Sequence, residues 1–141
     1  MHGYASAYRG AMRKAILMML LAVVSSSAAA GWVVVDSYGT HTAYADPASI
    51  HRAGNRVKMW ALLDFKTTQQ DSTNPRDGYL SEIAQFEYHC KEQRARRLYY
   101  SLYSRHMGRG KVVSSDSDPS QWEPVLSGSG NETLREFACG R

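Results

Sequence analysis

Cysteine is scarce in this chain, with only Cys90 and Cys139 in 141 residues. Two distant cysteines among scattered histidines supply too few ligands for a structural zinc site. Long apolar runs are missing as well. The run at residues 15–24 holds ten residues, about half of what a membrane-spanning helix needs. His41, His51, His89 and His106 show neither a helical i, i+4 pairing nor an H-x-H motif. No serine sits in a G-x-S-x-G turn. Asp36, Asp46 and Asp64 fall at the ends of predicted strands, where acids commonly stop a strand, and do not form a catalytic carboxylate pair. The glycine-rich "SGSGN" at residues 127–131 lacks the lysine of a phosphate loop and reads as a helix cap. These absences leave no catalytic residue, no cofactor site and no metal site, and the chain reads as a protein that is not an enzyme.

The N-terminus carries a targeting signal. Arg9, Arg13 and Lys14 precede the apolar run, and small residues at Ala28 and Ala30 follow it in an A-x-A arrangement. This pattern predicts a secretory signal peptide over residues 1–30, cleaved after Ala30. Met12 opens a segment that is itself a normal signal start, so Met1 and Met12 both stand as start codons. No cysteine follows the apolar run, so a lipid-modified N-terminal cysteine is not expected. Setting aside the three bases of the signal leaves 14 Lys and Arg against 13 Asp and Glu, a net charge of +1 against +4 for the whole chain. That balance gives no reason to expect nucleic acid or an anionic membrane as a bulk partner.

Residues 31–141 suit a single domain with a modest core. An even cysteine pair in an exported chain reads as one disulfide, Cys90–Cys139. Closing a loop of roughly 50 residues is worth about 4 kcal/mol in the chain-entropy description.

Residues 31–38 (GWVVVDSY) read as a first strand and 42–45 as a second, ended by Asp46-Pro47. Residues 53–55 form a turn. The strongest strand is 56–66, with Val57, Met59, Ala61, Leu63 and Phe65 on an apolar face. Trp60 and Leu62 make its other face partly apolar, which predicts a central or covered strand. The polar segment 67–78 reads as a mobile hairpin loop, followed by strands at 79–90 and 94–107 that pair as antiparallel neighbours. Residues 82–102 also contain good helix formers, but the tyrosines and the alternation at 98–103 favour strand. A short strand at 111–114 and a surface loop follow. Ser129 three residues before Glu132, then Leu134, Phe137 and Ala138 at helical spacing, predict a helix over about 130–139 ending at Gly140. The fold class expected is α+β: a small antiparallel sheet with a C-terminal helix tied to it by the disulfide.

The unusual local feature is a run of tyrosine and arginine, residue types enriched in binding hot spots. Arg97, Tyr99, Tyr103 and Arg105 form the candidate binding surface. Tyrosine also suits half-buried strands, and arginine stems cover apolar surface, so the same run has a purely structural reading.

Several pieces occur in a fixed order. D-P-x-S-I-x-R spans residues 46–52, V-x-M-W spans 57–60, a tyrosine and serine at Tyr79 and Ser81 lead to Cys90, and W-x-P-V spans 122–125 before the near-terminal cysteine. In this the chain resembles the bacterial surface-adhesin protein E-like domain over about residues 32–139. The resemblance implies an antiparallel sheet with a C-terminal helix, exported by a Gram-negative bacterium to the periplasm or the cell surface. It also implies a protein partner, in the family's case host matrix and serum proteins, and admits a homodimer. The alternative is a periplasmic structural or accessory protein of the cell envelope with no host ligand.

Overall fold

The computed structural model describes residues 31–140. The predicted signal peptide, residues 1–30, lies outside the described residues. Eight strands form one antiparallel sheet in the order β1 (Val33–Ser37), β2 (His41–Ala45), β4 (Arg56–Asp71), β5 (Asn74–His89), β6 (Arg94–Tyr103), β7 (Val112–Asp116). Short β3 (His51–Ala53) adds to β4, and β8 (Glu123–Pro124) to β6. Among the described residues one α-helix, α1 (Gly130–Cys139), packs on one face of the sheet.

The hairpin of β4 and β5 is the spine, with 16 residues in each strand. The strands run through most of the segment expected as a loop and leave only Ser72 and Thr73 between them. The polarity of 67–78 signalled exposure, not irregularity. The arm is a solvated two-stranded ladder, in which Pro75 falls within a register shift that asks no ladder bond of it. Gly78 is required there, since a Cβ would stand 2.2 Å from Thr68 Cγ2.

Val57, Met59 and Ala61 of β4 are fully buried against α1, with Tyr88 of β5, Ala95 of β6 and Leu134 and Ala138 of the helix. The opposite face of β4 is covered too. Leu62 is fully buried, and the turn at His106–Gly108 folds over it and Ile83. Ser81 anchors that turn by donating to the Arg105 carbonyl and accepting from the Gly108 amide, and Asp64 accepts from the Met107 amide. Asp46 caps the one-turn helix at Pro47–Ser49 by accepting from the Ala48 amide. Asp46 and Asp64 thus have structural partners.

The helix begins as expected. Ser129 Oγ accepts from the Glu132 amide at 3.2 Å, while the Glu132 carboxylate reaches back to the Gly128 amide at 2.8 Å. Gly140 ends it in a right-handed conformation, so its conformational freedom is not used there. The Cys90–Cys139 disulfide joins the last turn of α1 to the end of β5, with Cα atoms 5.7 Å apart. Arg135 donates to the Cys90 carbonyl at 3.1 Å and Arg52 to the Cys139 carbonyl, so two guanidinium groups brace the same junction.

Candidate functional site

Helix α1 is too short to cover its face of the sheet. A helix of ten residues spans about 15 Å, whereas β4 and β5 run far beyond it. Past the helix N-terminus the sheet lies open in two adjoining depressions of about 350 and 250 Å3. Glu82 of β5 and Arg97 of β6 line both.

An aromatic row runs along this groove, with Tyr38, His41 and Tyr79 in its lining. Tyr38 lies 4.9 Å from the His41 ring, His41 5.5 Å from Phe65, and Phe65 5.7 Å edge-on from Tyr79. The sheet register sets the row, because His41 pairs with Phe65 across β2 and β4. Arg97 lies over the Tyr100 ring at 4.0 Å and approaches Glu82 at 3.6 Å. The Glu82 side chain is 13% exposed and that of Arg97 is 42% exposed. Burial pushes the Glu82 carboxyl above its ordinary range, and Arg97 only partly offsets it. Burial likewise lowers His41, which favours its neutral form, and raises Tyr79, with the charges of Glu82 and Asp71 adding to the latter.

The four residues expected to form one binding surface are not brought together. Arg97 lies in the groove, paired with Phe86. Tyr99 pairs with Gln85 and packs edge-on against Trp60 at 5.5 Å on the opposite face. Tyr103 pairs with Ser81, also on that face, and Arg105 is exposed in the following turn. The cause is a β-bulge. The register shifts between Gln85 and Phe86, leaving Leu98 as an extra residue in β6, so Arg97 joins Tyr100 and not Tyr99. A one-residue slip exchanges the faces of everything beyond it. Glu82, His41 and Phe65 were missed as site residues. Their signal was present as a charge interrupting the apolar alternation of 79–90, at Glu82.

The four histidines stay apart. His41 is in the groove, His106 contacts Asp64 at 3.2 Å, and His51 and His89 lie on the opposite face. Among the described residues no group of three His, Cys, Asp or Glu side chains gathers in a metal-ligand arrangement.

The site and fold together define a small disulfide-tied antiparallel sheet domain with an open aromatic groove, a form suited to holding a partner. The chain belongs to the surface-adhesin protein E family, whose sequence profile matches residues 32–140. Its fold is similar to that of Haemophilus influenzae protein E, with a TM-score of 0.57 at 13% identity over 79% of this chain and 86% of that one. A second crystal form of that protein matches with a TM-score of 0.56 at 12% identity, over 75% and 91% of the two chains. Protein E from non-typeable Haemophilus influenzae matches at 0.57 and 12% identity, over 79% and 77%. No curated protein sequence matches the chain.

Proposed function

We propose that this protein is an exported, non-enzymatic binding module of adhesin type, cleaved from its signal peptide after Ala30, which takes a protein partner in the groove around Glu82 and Arg97. The observation that carries this reading is Glu82 itself. A carboxylate held in a desolvated position against a single half-exposed arginine opposes stability. Glu82 sits in an open groove with Arg97 as its charge partner, the setting in which a perturbed carboxylate marks a candidate site. Its neighbours include tyrosine and arginine, which are enriched in binding hot spots, and phenylalanine, which is enriched at protein interfaces. Membership in the surface-adhesin family supports the same conclusion, and host matrix or serum proteins are the partner class it suggests. Among the described residues no helix is long and apolar enough to cross a membrane. Of the residues first expected to bind, Arg97 is the one this proposal retains at the groove.

Pull-down of the exported protein against matrix and serum proteins tests the proposal. Capture above that of an unrelated exported domain is expected, and none would remove the adhesin reading. Surface fractionation separates it from a periplasmic accessory role, since an adhesin must reach the outside of the cell.

A further inference from the structure

The face opposite α1 carries a different chemistry. In the sheet register, Arg56 of β4, His89 of β5 and Arg94 of β6 form one row. His51 of β3, Lys58, Glu87 and Arg96 form the next. Antiparallel register places directly opposed residues on one side of the sheet. Four permanent cations and two histidines therefore share one end of one face. Regular strand geometry separates Arg56 from Lys58 by roughly 7 Å along β4, and β4 from β6 by roughly 10 Å across β5.

The acids do not balance this patch. Glu87 is buried and committed to Arg96 at 2.7 Å, and Glu92 stands 4.0 Å from His89. Among the described residues Arg56, Lys58 and Arg94 make no ion pair, and all three are exposed. With residues 31–141 near neutrality, the patch is a local concentration of charge and not a sample of a basic protein. At the far end of the same hairpin Asp71 and Asp77 stand beside Arg76, and Lys111 pairs with Asp77 at 3.2 Å, so charges there are balanced.

The patch is also shaped. An open depression of about 440 Å3 is lined by His51, Ala53, Arg56, Lys58 and Glu87. Trp122 leans over its margin, with the Arg96 guanidinium 4.8 Å and the Arg56 guanidinium 5.5 Å from its ring centre and His89 edge-on at 6.5 Å. These contacts hold two of the cations in place, so they lose less freedom on meeting an anion.

We infer that this face is a second binding site, for a sulfated polysaccharide of the glycosaminoglycan type. A linear sugar chain bearing sulfate and carboxylate groups on successive units presents anions at intervals comparable to the spacing of the cations. Single-stranded nucleic acid is the weaker fit, because it relies on aromatic rings free to stack with bases. Here Trp122 is engaged by two guanidinium groups and Trp60 by Tyr99. The choice of a polysaccharide met outside the cell rests on the exported reading; the cation array itself does not.

The test is binding of the full exported, disulfide-bonded protein to heparin at about 0.15 M salt. Arg56→Ser with Lys58→Ser should weaken it about 25-fold, since each cation near an anionic surface is worth about fivefold. Arg96 is left intact because it neutralises buried Glu87. Lys66→Ser with Arg76→Ser removes the same charge from elsewhere on the hairpin and should leave binding unchanged. Both double variants change only exposed side chains, and unchanged circular dichroism and melting temperature establish that they fold. Absence of heparin binding, equal loss in the two double variants, or equally tight binding of duplex DNA or phosphatidylglycerol vesicles at the same salt would each overturn the inference. The protein-capture experiment reads the other face, so either site can fail without the other.

Discussion

Glu82 shows how one side chain sets the terms of the groove. Burial raises its carboxyl pKa, so the folded protein holds a proton at a pH where the unfolded chain has released it. The native state therefore gains relative stability as pH falls, and loses that gain as pH rises through the folded value. Glu82→Gln removes the desolvated charge while keeping the shape. It should melt a few degrees above the parent at neutral pH, with the difference closing in acid. Thermal melts across that range check this, and a lower melting point at neutral pH would mean that Arg97 more than offsets the burial. Gly108 is a second residue whose identity is dictated. Its φ is +70°, and a Cβ would lie 2.6 Å from Ile83 Cδ1. Gly108→Ala should cost about 1–2 kcal/mol from the left-handed backbone alone, measurable by urea unfolding. An unchanged midpoint would show that the turn over Leu62 relaxes freely.

The elements differ in how plainly the sequence announces them. Period-two alternation made β4 legible as a strand covered on both faces. Val57, Met59 and Ala61 are buried as expected, and Leu62 is buried on the other face. Leu63 and Phe65, expected in the core, are only half-buried because α1 ends before reaching them. Met59→Asp should cost several kcal/mol and yield little soluble protein; a soluble variant with the parent's melting temperature would contradict the face assignment. The helix was legible from Ser129, Glu132 and the spacing of Leu134 and Ala138. The hairpin arm was not, because threonine, glutamine and aspartate form a solvated ladder as readily as a loop when a partner strand runs alongside. Nor was the bulge at Leu98, which depends on the register β6 adopts against β5, and which divides the expected Arg/Tyr surface between two faces. The disulfide was expected from cysteine number and export, and the structure places it at the end of α1. Isolated helices of ten residues are marginal in water, so α1 depends on this tie and on Leu134. Replacing both Cys90 and Cys139 with alanine should cost roughly 2–4 kcal/mol. Faster amide exchange from Glu132 to Ala138 should appear before loss elsewhere, and uniform exchange along the chain would contradict this order.

At the scale of the whole molecule, the sheet separates two surfaces of opposite character. The face bearing α1 ends in an aromatic groove centred on the largely buried Glu82 and the half-exposed Arg97, and the other ends in a cation array. Whether the groove, and not the fold alone, provides binding is decided by the affinity of Glu82→Gln combined with Arg97→Gln for the captured protein partner. Removing both charges together leaves neither buried alone, so the fold is preserved where single removal of Arg97 would strand a carboxylate. Binding should weaken at least tenfold, a loss of about 1.4 kcal/mol, at an unchanged or higher melting temperature. Parental affinity in a folded double variant would contradict binding in the groove.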